Sequence, residues 1–124
     1  MKNIIIAVAL LFSGSATAHE LTPTYPQLKQ SYLDGILVAN MKIWNRRNDV
    51  EYYEVSVLDK YMKRVPFATS AKIFKVEYLG HKNIDVYIRK KDKDRVEFIC
   101  TTSKQLKEDV QSTGIMSMIC SRVK

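Results

Sequence analysis

Ile84-Asp85-Val86-Tyr87-Ile88-Arg89-Lys90-Lys91-Asp92-Lys93-Asp94-Arg95-Val96-Glu97-Phe98-Ile99-Cys100-Thr101 reads as strand, turn and strand. Ile84, Val86 and Ile88 alternate with Asp85, Tyr87 and Arg89, the two-residue period of a strand that buries one face. Lys90 to Arg95 is charged throughout and reads as a charged turn. Val96, Phe98 and Cys100 then alternate with Glu97, Ile99 and Thr101. Neither half carries a 3.6-residue apolar stripe, so helices are excluded here.

The same grammar extends in both directions. Upstream, Ala71 to Leu79 alternates Phe74, Val76 and Tyr78 with Lys75 and Glu77, and Gly80 and Asn83 flank a turn. Val65-Pro66-Phe67 fits an edge strand or a kink, because proline cannot donate to a ladder. Asp59 to Arg64 is a charged connection. Glu51 to Leu58 alternates Tyr53, Val55 and Val57 with Glu54 and Ser56. Ile36 to Trp44 is apolar almost without a break, as in a strand covered on both faces or a short helix, and its β-branched residues and short length favour strand. Asp34-Gly35 before it is a turn signal. Residues 19 to 31 hold Pro23 and Pro26 and fit an extended lead-in with one edge strand. Downstream, residues 103 to 113 are polar, with room for a helical turn, and Gly114 to Val123 is a last strand. About seven short strands with polar turns predict an all-β, immunoglobulin-like β-sandwich.

Residues 1–18 predict a secretory signal peptide. Lys2 supplies the positive start, Ile4 to Phe12 the apolar run, and Ala16-Thr17-Ala18 the small-residue cleavage site. The apolar run is about half of a membrane span. The domain is then residues 19–124, which is 124 − 18 = 106 residues, with the net charge reduced from +7 to +6 by loss of Lys2. This places the protein in the periplasm or outside the cell. There, Cys100 and Cys120 meet oxidising conditions and are expected to pair. Closing a loop of about 20 residues stabilises a domain by roughly 3 kcal/mol.

Composition removes several classes of chemistry. Two His and two Cys cannot complete a four-ligand structural zinc site without carboxylates. Four scattered glycines make neither a P-loop nor a dinucleotide fingerprint. No G-x-S-x-G elbow is present, and Glu51 and Glu54 lie among solvated residues, so the chain is not read as an enzyme and needs no cofactor. Acids interrupt each basic cluster (Asp49, Asp59, Asp92, Asp94), which argues for solvated turns, not nucleic-acid binding, and leaves room for peripheral contact with an anionic membrane. One metal alternative stands. A mature N-terminal His19 offers an amine and an imidazole to copper, and His81 could add a third nitrogen. The plainer reading is two solvent-facing histidines and no metal.

The last strand carries most of the functional argument. In Gly114-Ile115-Met116-Ser117-Met118-Ile119-Cys120-Ser121-Arg122-Val123-Lys124, one face holds Ile115, Ser117 and Ile119, and the other Met116, Met118 and Cys120. Two apolar faces on a terminal strand suggest an edge that another chain covers by strand addition.

At these residues the sequence resembles the N-terminal immunoglobulin-like domain of periplasmic chaperones of the chaperone–usher pilus type. Ile119-Cys120-Ser121-Arg122-Val123-Lys124 looks like that domain's last strand. Lys29 through Asp34-Gly35 is similar to its first strand and turn. Met41 to Asn45, Tyr52 to Asp59, Val65 to Ile73 and Lys82 to Arg89 fall in step between, so the likeness spans about residues 28 to 124. The resemblance implies that Ile115, Ser117 and Ile119 face a pilin-like subunit's groove, with Ser117 where the family has an apolar residue. It implies that Lys29 and Lys124 hold the subunit's C-terminal carboxylate, with Lys29 in place of an arginine. It also implies a disulfide between the last two strands. The family carries a second β domain, whereas this sequence ends at Lys124, so no two-domain cleft is expected within one chain.

The expected function is therefore capture of another periplasmic or surface protein by edge-strand pairing, as a chaperone-like or assembly factor. A copper-binding protein and a structural component of an envelope-spanning assembly are the alternatives.

Overall fold

Short strands separated by turn residues build two antiparallel sheets. The computed structural model describes residues 18–104 and 116–124. The strands in chain order are β1 (Glu20–Thr22), β2 (Lys29–Gln30), β3 (Ile36–Trp44), β4 (Tyr52–Leu58), β5 (Ile73–Lys75), β6 (His81–Arg89), β7 (Phe98–Lys104) and β8 (Met118–Arg122). In the first sheet β3 pairs with β6 on one side and with β1 and β2 in succession on the other. The second sheet runs β5-β4-β7-β8.

The two sheets face each other across one core. Met41, Ile43, Ile84, Val86 and Ile88 come from the first sheet, and Tyr53, Val55, Val57 and Ile99 from the second. Each fully buried aliphatic side chain contributes about 1.5–3 kcal/mol. This is an all-β, immunoglobulin-like sandwich with eight strands in the described residues.

The register follows the alternation read in sequence. Leu37, Ala39, Met41 and Ile43 point inward, and their neighbours on β3 are half-covered or exposed. The expectation that β3 is buried on both faces is therefore corrected. Its outer face is only partly shielded. The predicted strand over Ala71–Leu79 shortens to Ile73–Lys75, because Tyr78-Leu79-Gly80 folds into a turn that β3 holds. Leu79 donates to the Asn45 carbonyl at 2.7 Å, and Asn45 donates to the Gly80 carbonyl at 2.9 Å. The charged turn after β6 is a 3-10 helix, Lys90–Arg95. Gly35 sits at φ +76, the left-handed conformation that its turn demands.

Both open sides of the sandwich are bridged by segments that change sheets. On one side, chain that has left β1 at the cis Thr22–Pro23 peptide runs beside β8 and then returns to the first sheet as β2. On the other side, Val65 donates to Val57 of β4 (2.8 Å), and Ala68 exchanges backbone bonds with Tyr87 of β6 (2.9 and 2.8 Å). Val65-Pro66-Phe67 is thus a crossing kink, not a strand. The predicted leader up to residue 17, the predicted helical turn beyond residue 104, and Ile115 lie outside the described residues.

Candidate functional site

β8 borders the second sheet, and its hydrogen bonds divide by parity. Ser103 donates to the Ser117 carbonyl and Val123 donates to the Glu97 carbonyl, both at 2.9 Å, so odd-numbered residues address β7. Even-numbered residues address the outer side. Arg122 and Lys124 use their amides there, donating to Thr24 and Pro26 at 3.0 Å. The amides and carbonyls of Met118 and Cys120 point the same way, and no backbone partner faces them among the described residues. Among the described residues, the outer edge is hydrogen-bonded at its C-terminal half and makes no backbone hydrogen bond at its N-terminal half, which is open in that sense.

Side chains at this edge are equally divided. Ile119 is half-buried and packs against the core. Met116 and Met118 are 59% and 47% exposed. Cys100 and Cys120 sit opposite each other, Cα to Cα 4.1 Å, and are joined by a disulfide, as the sequence reading expected. The bridge clamps the open half of β8 to β7.

Ser117 and His19 occupy one buried site. His19 is buried, with its ring centroid 4.8 Å from that of Tyr53. Nε2 lies 3.1 Å from the Thr101 carbonyl and 2.8 Å from its hydroxyl, and Nδ1 lies 3.3 Å from the Ser117 hydroxyl. A carbonyl can only accept, so Nε2 carries the proton and Nδ1 accepts. Burial pushes the His19 pKa down to about 4, against the hydrogen bond to Thr101, with Arg47 adding to the fall.

His19 is therefore not the solvent-facing group that its polarity suggests. His81 sits on the outer face of the first sheet, its ring 4.7 Å from that of Trp44, so the two histidines do not converge. Among the described residues no three potential ligands gather for a metal.

Beneath His19 lies a second polar cluster that sequence reasoning missed. Asn45 is fully buried. Its amide nitrogen donates to the carbonyls of Val50 (2.7 Å) and Val76 (2.8 Å). Its oxygen accepts from the Arg47 amide (2.8 Å) and the Tyr53 hydroxyl (2.6 Å). Asn45 thus fills its whole hydrogen-bonding capacity and ties β3 to β4. Burial raises the Tyr53 pKa to about 12. The Asp49 carboxyl is held below its usual range, first by the hydrogen bond from Arg47. The one sequence signal for this cluster was an asparagine ending an apolar strand.

Lys29 and Lys124 do come together. They line one shallow polar depression of about 360 Å³, with Tyr25 and Asn40 beside them. Proximity is enforced by the crossing segment, since Lys124 bonds Pro26 and β2 follows three residues later.

Comparison with known proteins agrees with this architecture. A PapD-like (ASH) domain of human CEP192, PapD-like domain 7, superposes with a TM-score of 0.56 and 11% identity over 85% of this chain and 81% of that one. At that identity the likeness is one of fold. It supports the immunoglobulin-like sandwich, with a PapD-like domain as a structural neighbour. No family model and no curated sequence matches it.

Proposed function

We propose that this protein is an exported, non-catalytic binding domain that captures an extended segment of a partner protein by strand addition to β8. It serves as a chaperone-like or assembly factor for surface structures such as pili. The supporting observation is the open half of the edge. There the peptide groups of Met118 and Cys120 face outward on a strand whose neighbouring side chains are apolar. An incoming strand would satisfy those groups and lay alternate side chains against Ile119 at the mouth of the core. The free side of β6 is a poorer template, because Ala68 occupies its middle and Asp85 and Arg89 flank that point.

A proline tests this reading with little effect on the fold. The Met118 amide makes no bond to β7, so Met118→Pro removes a donor only from the outer side. Met118→Pro should lose the partner in a pull-down from an envelope extract, and Met118→Ser should keep most of it. Equal capture by Met118→Pro and the native protein would overturn edge pairing.

A further inference from the structure

The strand register brings four segments to one end of the sandwich, away from the open half of β8. Lys90 donates to the Gly35 carbonyl at 2.8 Å, which joins the 3-10 helix to the turn before β3. Glu97 donates to the Leu58 carbonyl at 2.9 Å, which joins the chain after the helix to the end of β4. Arg122 pairs with Glu97 at 3.0 Å, and Lys124 shares its depression with Lys29.

Charge is concentrated at this end. Segments 29–35, 59–63, 89–97 and 122–124 hold ten Lys or Arg and five Asp or Glu, a surplus of five. The other described residues hold eight and six, a surplus of two. The roles are also segregated by residue type. Arg89 and Arg95 both grip the buried Asp92, at 2.8 and 3.1 Å, and Arg122 grips Glu97. The Asp59 carboxylate accepts from the amides of Tyr61 and Lys63 at 2.8 and 2.9 Å. Three of the five acids are thus engaged by the fold. The seven lysines of these segments form no ion pair within 4.0 Å among the described residues.

Apolar tips stand among those lysines. Tyr32 is 83% exposed and Tyr61 70%, with Leu33 and Met62 next to them each about half exposed. Met62 is held at φ +64, a left-handed conformation unusual for a non-glycine residue. Behind Tyr32 and Leu33, an apolar groove of about 470 Å³ continues between Phe67 and Tyr87. Soluble surfaces seldom present aromatic and aliphatic side chains together at the tips of two turns that flank a lysine-rich segment.

We propose that this end docks on an anionic lipid bilayer, with Lys60, Lys63, Lys90, Lys91 and Lys93 at the headgroups and the tips of residues 32–33 and 61–62 in the interface. Charge complementarity selects the surface, and tyrosine suits the headgroup boundary. Docked in this way, the protein holds the open half of β8 away from the membrane.

Sedimentation with vesicles tests the proposal. Purified protein with its natural N-terminus is mixed with phosphatidylcholine vesicles, with and without about one-third phosphatidylglycerol. Binding should require phosphatidylglycerol and fall steeply between about 0.05 M and about 0.5 M salt. Combined Lys90→Gln, Lys91→Gln and Lys93→Gln should weaken it on the order of 100-fold. Combined Tyr32→Ser and Leu33→Ser, in an exposed turn, should weaken it roughly tenfold with unchanged melting. Met118→Pro should sediment like the native protein, so this proposal and edge capture can fail separately. Equal binding to neutral vesicles, no binding to anionic ones, or native-level binding by both charge and tip variants would overturn it. So would capture by heparin without sedimentation, which would point to a soluble polyanion.

Discussion

Arg122 donates its backbone N–H to the carbonyl of Thr24 at 3.0 Å, and that bond marks where an edge strand stops being available. Beyond it, the segment after β1 occupies the outer side of β8. Before it, the same kind of groups on Met118 and Cys120 make no backbone hydrogen bond among the described residues. One strand is thus half interior and half template.

The disulfide secures the template half. Reduction should leave the fold but lower its stability by roughly 3 kcal/mol, since the bridge closes a loop of 20 residues. Denaturant melts with and without reductant check this, and intact mass should differ by two hydrogens. A melt unmoved by reduction would mean that the β7–β8 pairing holds without the bridge.

His19 makes stability depend on pH. Its folded pKa is about 4, against an ordinary 6.5, so the unfolded chain binds the extra proton between those values. Stability is full above about pH 6.5 and falls as pH drops towards 4, by roughly 2–3 kcal/mol in total. His19→Gln should flatten this window while keeping polar contact with Thr101. The carboxyls of Asp49 and Asp92 are also held low, so their contribution is lost only in more acid solution. A native profile flat from pH 7 to 4 would remove His19 as the cause.

Asn45 should be the most sensitive polar position. Asn45→Leu leaves two buried carbonyls, one amide and the Tyr53 hydroxyl without partners. The expected loss is roughly 3–5 kcal/mol, because orphaned buried groups cost more than absent ones. Tyr53→Phe removes a single bond and should cost about 1 kcal/mol. Comparable losses in the two variants would show that Asn45 is not the hub.

Much of the fold was legible because alternation reports burial directly. β4 and the inner residues of β6 follow their apolar period, and Asp34-Gly35 marks its turn. What alternation cannot report is which of two apolar faces turns inward. On the last strand both qualified, and Ile119 packs on the core while Met116 and Met118 stay outside. Nor can it report the burial of a polar side chain whose partners are remote. His19 meets Thr101 and Ser117 across 82 and 98 residues of sequence. Likewise the run 71–79 alternates to its end, but the backbone of Asn45 bends its second half into a turn.

Lys29 and Lys124 were paired through the family resemblance, and the structure places both in one depression, which allows a chemical test. Two ammonium groups beside Asn40 suit a carboxylate that ends a chain. Combined Lys29→Glu and Lys124→Glu should weaken capture of a partner peptide with a free C-terminus by roughly tenfold or more. Both side chains are exposed, so melting should barely move. Lys29→Arg should tighten the same peptide, because a guanidinium offers a two-pronged fork where an ammonium offers a point charge. C-terminal amidation separates this contact from strand pairing. An amidated peptide should bind the native protein and the Lys29→Arg variant alike, and should still be lost on Met118→Pro. If amidation changes nothing for the native protein, the depression is not a carboxylate site, and affinity rests on the β8 edge alone.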